Sequence, residues 1–84
     1  MSTNIYVGNL SFETSTNQLE GLFEDFGEVT SAQVITDRDT GRSRGFGFVE
    51  MQSSDEANRA ISDLNGKQID GRQLKVNIAR PRSG

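Results

Sequence analysis

The chain contains no cysteine and no histidine. The first absence removes disulfides, thiolate chemistry and most zinc sites, and it suits a reducing compartment. The second removes the commonest general base and metal ligand. Proline occurs once, at Pro81. No apolar run approaches the roughly 20 residues that a membrane helix needs. The opening Met1-Ser2-Thr3-Asn4 carries no basic segment of a signal or transit peptide. The expectation is a soluble cytoplasmic protein with no membrane partner, no cofactor, no metal and no catalytic residue. Apolar residues make up 32% of the sequence and charged ones 25%, which is lean for a core but unlike a disordered tail. With 84 residues there is room for one domain, 1–84, with a modest core. A monomer is the default.

Net positive charge is missing as well. The formal net charge is −3 and the pI is near 4.8, which taken alone argues mildly against a nucleic-acid partner. The distribution matters more than the sum, because steering follows the local field. Across residues 13–28 every charge is acidic: Glu13, Glu20, Glu24, Asp25 and Glu28. From residue 72 onward every charge is basic: Arg72, Lys75, Arg80 and Arg82. Arg38, Arg42 and Arg44 cluster in the middle.

Residues 4–8 read as a first strand, with Ile5 and Val7 on one face and Tyr6 on the other. Thr14-Ser15-Thr16 offers N-cap hydroxyls. A helix follows, its inner stripe Leu19, Leu22, Phe23 and Phe26 spaced i, i+3, i+4, i+7, and Gly27 is placed to end it. Phe12, Phe23 and Phe26 are assigned to the core. Residues 29–36 form a second strand with Ala32 and Val34 inward and Ile35 outward. A polar hairpin loop with Gly41 near its end leads to a third strand. Ser53 and Glu56 have capping-box spacing before a second helix with the stripe Ala57, Ala60, Ile61 and Leu64. Asn65-Gly66 closes that helix and Gly71 turns the chain. Leu74, Val76 and Ile78 alternate with Lys75 and Asn77 in a last strand, stopped by Pro81. The core spans about 4–79. The short basic tail 80–84 reads as interrupted, so the natural chain is expected to continue. The predicted fold class is α+β: a ferredoxin-like βαββαβ order, with a four-stranded antiparallel sheet and two helices on one face.

The third strand, Arg44-Gly45-Phe46-Gly47-Phe48-Val49-Glu50-Met51, is the most informative. Alternation sends Arg44, Phe46 and Phe48 to one face and Gly45, Gly47, Val49 and Met51 to the other. A core would normally take the phenylalanines. The Phe face therefore reads as a working surface, and the glycine face as the side where helices approach closely. Exposed rings beside an arginine can stack bases and hold phosphates.

This octapeptide resembles that of the RNA recognition motif, [KR]-G-[FY]-[GA]-F-V-x-[FY], departing only at Met51. Ile5-Tyr6-Val7-Gly8-Asn9-Leu10 resembles the family's hexapeptide, and the two are separated by the expected helix. The wording resembles that of small bacterial and cyanobacterial single-motif RNA-binding proteins, and plant glycine-rich RNA-binding proteins are similar too. The resemblance implies that Tyr6 and Phe48 each stack a base, that Phe46 lies against the sugars between them, and that Arg44 pairs with a phosphate. Met51 points inward and alters packing only. Gln33, Lys75, Asn77 and Arg80 are candidates for reading base edges, with Asn9 and Glu50 as further ones. Arg38 and Arg42 offer phosphate attraction. The implied partner is single-stranded RNA, with single-stranded DNA open as well, and the implied role is post-transcriptional regulation. A protein-interaction module on the same fold is the alternative; separately, the rings could instead be buried under a terminal helix or a partner subunit. An enzyme of this fold would need an anion-cradling loop, and loop 8–14 has no basic residue.

Overall fold

The computed structural model describes residues 3–69 and 71–79. Arg80, named above as a candidate, lies outside the described residues. The elements run β1 (Thr3–Gly8), α1 (Thr16–Glu24), β2 (Val29–Thr36), β3 (Ser43–Met51), α2 (Ser54–Leu64), β4 (Gln68–Ile69), β5 (Arg72–Gln73) and β6 (Lys75–Ile78). Strands β2-β3-β1-β6 form one antiparallel sheet in that order, and β4 pairs with β5 in a small separate hairpin. The main sheet and its two helices follow the expected βαββαβ plan. The β4–β5 hairpin occupies the stretch that the sequence showed only as a turn at Gly71.

Both helices start where a serine frees its hydroxyl for backbone amides. The Gln18 amide donates to Ser15 Oγ at 3.2 Å, and Gln18 Oε1 accepts from the Ser15 amide at 2.9 Å. Two of the amide groups left over at a helix start are thereby satisfied. At α2 the Glu56 amide donates to Ser53 Oγ at 3.4 Å, and Asp55 and Glu56 place negative charge on the positive end of the helix. Gly27 does not cap α1. The helix ends at Glu24 with Asp25 in right-handed geometry, and the Phe26 amide donates to the Phe23 carbonyl at 3.0 Å. The space beside Gly27 is taken instead by the Glu56 carboxylate. Gly66, at φ 87°, does close α2. The cap residue Asn65 accepts from the Val76 amide at 3.1 Å, which ties that helix end to β6.

The core lies between the helices and one sheet face. Ile5, Val7, Val34, Val49, Met51 and Val76 from the sheet meet Leu19 and Phe23 of α1 and Ala57, Ala60 and Leu64 of α2. Burial of Met51 agrees with the inward direction read from the sequence. The small alanines let α2 sit close, and Gly47 does the same beneath Leu19. Ile78 departs from the alternation: it pairs with buried Ile5 yet is 47% exposed, because β6 is an edge strand. Phe26 is half-buried against the core, whereas Phe12 is 63% exposed, against the core assignment. A hydrophobic staple needs the residue directly before the cap. That place belongs to Thr14, and Phe12 lies too far upstream of Ser15 to reach the helix stripe.

Two register shifts interrupt the β2–β3 ladder. Near the first, Thr30 Oγ1 donates to the Glu50 carbonyl at 3.1 Å and to Glu50 Oε1 at 3.2 Å. At the second, Val34 pairs with Gly47 but Thr36 pairs with Ser43, so β3 carries extra residues and Gly45 sits at φ 84°. This is a left-handed conformation that glycine adopts without penalty. Strict alternation therefore stops at Gly45, and Gly45 faces no helix: its nearest neighbours are the Phe12 ring and the Leu10 carbonyl.

Candidate nucleic-acid interface

The sheet face away from the helices is built row by row from the pairing. Phe48 of β3 stands opposite Tyr6 of β1 and Gln33 of β2, and Tyr6 in turn opposite Asn77 of β6. One row thus reads Gln33, Phe48, Tyr6, Asn77. In the next row Phe46 stands opposite Gly8, and Gly8 opposite Lys75. In an antiparallel ladder, directly paired residues point to the same side. Gln33, Phe48, Lys75 and Asn77 are exposed, and Tyr6 and Phe46 are half-buried.

The three rings form a near-equilateral triangle. Centroid separations are 6.0 Å for Tyr6–Phe46, 5.9 Å for Tyr6–Phe48 and 6.1 Å for Phe46–Phe48. The planes meet at 33°, 63° and 89° in the same order. The two edge-to-face pairs, both made by Phe48, suit the ring quadrupoles, and the Tyr6–Phe46 pair is tilted. Phe48 stays 40% exposed, an unusual state for a phenylalanine in the middle of a sheet.

Gly8 sets the pose of Tyr6. A Cβ at Gly8 would lie 2.5 Å from the Tyr6 hydroxyl oxygen and 2.9 Å from ring carbons, so the outer end of the ring lies down on this glycine. Tyr6 is the only tyrosine and there is no tryptophan, so its emission reports this pose cleanly. Gly8→Ala is expected to lift the ring off the sheet. Tyr6 should become more open to acrylamide quenching, with a loss of stability of only about 1 kcal/mol. Unchanged quenching would show that the ring does not depend on Gly8.

The polar candidates are placed less uniformly. Lys75, Asn77 and Gln33 border the rings. Arg44 is exposed but precedes the irregularity at Gly45, so the sequence argument that aligned it with Phe46 and Phe48 does not carry through. Arg42 ends the β2–β3 loop. There the Asp37 amide donates to the Arg42 carbonyl at 2.7 Å and Asp37 Oδ1 accepts from the Asp39 amide at 2.8 Å, so the loop is internally tied. Asn9, at φ 59°, uses both ends of its side chain: Nδ2 donates to the Gln73 carbonyl at 2.7 Å, and Oδ1 accepts from Arg72 at 3.2 Å. It braces the loop after β1 rather than offering a free amide. Sequence reasoning missed the pairing of Phe12 with Arg72, whose guanidinium carbon lies 5.5 Å from the ring centroid. No spacing rule connects positions 60 residues apart. Among the described residues, no group of three or more carboxylates comes together to hold a metal ion, and no helix is long and apolar enough to cross a membrane.

Comparison with known proteins agrees with this geometry. The family model for the RNA recognition motif matches residues 5–75. The chain is 53% identical over 83 residues to glycine-rich RNA-binding protein 4, mitochondrial, of Arabidopsis thaliana, covering 99% of this chain and 61% of that protein. It is 54% identical over 79 residues to the putative RNA-binding protein RbpE of Nostoc sp., covering 94% of this chain and 80% of that one. The solved structure of RNA binding protein PG1 superposes with a TM-score of 0.92 at 52% identity, covering 98% of this chain and 99% of the other. The chain thus spans less than two thirds of the Arabidopsis relative but most of the cyanobacterial one. The paired hexapeptide and octapeptide, the ring triangle they build and the matching model over most of the length lead to one assignment: the chain belongs to the RNA recognition motif family.

Proposed function

We propose that the helix-free sheet face binds single-stranded RNA, stacking bases on Tyr6 and Phe48 and laying the intervening sugars against Phe46. The observation that carries this reading is the ring triangle left open on the helix-free side of the sheet. In water three clustered apolar rings gain nothing by facing solvent, whereas an unpaired base offers each a π-face that a duplex hides. Arg44 pairs with a phosphate and Arg42 adds phosphate attraction, while Gln33, Lys75, Asn77 and Arg80 offer groups to base edges. The mechanism needs no catalytic group. The names of the relatives, each an RNA-binding protein, support it. A cytoplasmic or comparable reducing setting and a monomer fit the reading, and the cellular role is post-transcriptional.

Affinity is modest on this account. Two stacks of roughly 1–3 kcal/mol each by truncation, set against ordering costs, give micromolar or weaker binding to about two to four nucleotides. The net charge of −3 adds little long-range pull. The test is an NMR titration with short single-stranded RNA pools and, separately, with an RNA duplex. Amide signals of Tyr6, Phe46, Phe48, Gln33 and Asn77 should move with the single strand and barely with the duplex. Sheet-face signals left unmoved by RNA, with helix-face signals shifted by a partner peptide, would replace the RNA reading with a protein-docking one.

A further inference from the structure

Helix α2 ends on Asn65-Gly66, the one Asn-Gly pair in the sequence. Both residues are exposed, yet the pair is tied down at four points. The Asn65 amide donates to the Ile61 carbonyl at 2.9 Å, and the Gly66 amide donates to the Leu74 carbonyl at 2.8 Å. The Gly66 carbonyl accepts from Gln73 Nε2 at 3.1 Å. Asn65 Oδ1 accepts from the Val76 amide at 3.1 Å. The pair thus joins the end of α2 to both β5 and β6.

An asparagine followed by glycine has its side-chain amide open to attack by the next main-chain nitrogen, because glycine has no Cβ to block the approach. The Gly66 nitrogen loses its proton and bonds to the Asn65 side-chain carbonyl carbon. The bond from that carbon to Nδ2 breaks, and ammonia leaves with a proton. Water then opens the cyclic imide at either carbonyl. One opening gives aspartate. The other gives isoaspartate, whose main chain runs through the former side chain and is one atom longer. The folded geometry blocks the first step. Attack requires rotation about the Asn65 Cα–C bond, away from its ψ of 120°, to bring the Gly66 nitrogen against the side chain. That rotation breaks the Gly66–Leu74 bond, and the side chain must also leave Val76.

We propose that Asn65-Gly66 is a site of deamidation that proceeds only when the α2–β6 junction opens, and that its isoaspartyl product loosens β6 and weakens the RNA face. Strand β6 pairs with β1 on one side and with no strand on the other. Asn65 supplies a partner to the Val76 amide of this edge strand. Val76 lies between Lys75 and Asn77, which stand opposite Gly8 and Tyr6 on the open face. Aspartate keeps a side-chain oxygen in place for the Val76 amide. Isoaspartate carries that oxygen away on the lengthened chain and leaves the amide unsatisfied. The RNA consequence rests on the RNA reading of the sheet face; the modification itself does not.

The experiment incubates the 84-residue chain at mildly alkaline pH, folded and, in parallel, unfolded in guanidinium chloride. Peptide mass spectrometry follows conversion at position 65, with synthetic aspartyl and isoaspartyl peptides as chromatographic standards. NMR measures hydrogen exchange of the Gly66 amide in the folded chain. The unfolded chain should convert mainly to isoaspartate. The folded chain should convert at least about 100-fold more slowly, by the factor that protects the Gly66 amide from exchange, because one opening event controls both. Conversion of the folded chain at the unfolded rate, or slowing unrelated to that protection, would overturn the site. The refolded isoaspartyl chain should bind a short single-stranded RNA about 5-fold more weakly than wild type, the effect of about one hydrogen bond. Asn65→Asp should stay within about 2-fold. Wild-type affinity in the isoaspartyl chain would overturn the loosening of β6. Should that chain not refold, Asn65→Ala decides the point, since it removes the acceptor and keeps the main chain unchanged. It should speed exchange of the Val76 amide relative to that of Val7 and weaken RNA binding; unchanged exchange at Val76 would overturn the loosening. Failure of wild type to bind RNA would remove the platform reading and the RNA consequence, while the conversion rates still decide the site.

Discussion

Replacing Phe46 and Phe48 together by alanine is expected to weaken binding of a short single-stranded RNA by about 100-fold or more while the fold persists. Each ring–base or ring–sugar contact contributes on the order of 1–3 kcal/mol by truncation, and 1.4 kcal/mol is a tenfold change in affinity. The two rings touch each other and Tyr6, so the losses will not simply add. Tyr6 alone also loses its edge contact with Phe48 and its tilted contact with Phe46. The cost to stability is small by comparison, about 1–2 kcal/mol, because neither ring belongs to the buried set between sheet and helices. Anisotropy with a labelled oligonucleotide measures the first effect and thermal unfolding the second. Wild-type affinity in the double variant would show that the platform does not bind RNA. Loss of folding would show that the rings are part of the core after all.

The opposite balance is expected one residue away. Gly47→Ala should lower stability by about 3 kcal/mol, near the upper end for overpacking, which in a domain this small corresponds to a fall in melting temperature of about 15 °C. A Cβ at position 47 would lie 2.5 Å from the Gln33 carbonyl oxygen, 3.0 Å from Leu19 Cδ2 and 3.1 Å from Val34 Cα. Two of these neighbours are backbone atoms of β2 and cannot swing aside as the Tyr6 ring can at Gly8. Relief requires β2 to shift against β3 or α1 to rise from the sheet. The first strains the ladder at its irregular end, and the second opens a gap above Val34 and Val49. Differential scanning calorimetry or urea unfolding measures the loss. An unchanged midpoint would mean that α1 does not pack on β3 as closely as described. The contrast between Gly8→Ala and Gly47→Ala, one on each face of the sheet, separates a residue that poses a ring from one that lets a helix approach.

Much of this arrangement was legible from local pattern. Period-two alternation in 31–34 and 46–51, and 3.6-period stripes in both helices, place the core face of each element without reference to any other. Ser15 and Ser53 start helices by bonding amides within three residues, which is chemistry that the sequence carries whole. The inward direction of Met51 and the outward direction of Phe46 and Phe48 follow from the same alternation. What was read wrongly has a common cause. Phe12 was assigned to the core because it is a phenylalanine before a helix, but what surrounds it comes from Gly45 and Arg72, distant in sequence. Gly27 was read as a cap because it follows a helix stripe, but it makes room for Glu56 of the other helix. Gly45 was read as an inward strand residue because the alternation seemed to pass through it, but a register shift between two strands intervenes. Asn9 is a base-edge candidate by sequence, but its side chain is held by Gln73 and Arg72 of β5.

By itself, then, the order of residues determined which segments become helix or strand, which face of each is apolar, and that three aromatic rings must share the remaining face. These depend on spacing along one segment and on side-chain chemistry, which are complete in the sequence. Only the tertiary structure decided how the rings lean on one another, where the β3 ladder breaks, and that Phe12 stands exposed with an arginine over it. Those outcomes depend on which strands pair, in what register, and on which side chains compete for the same space, and no single segment carries that information.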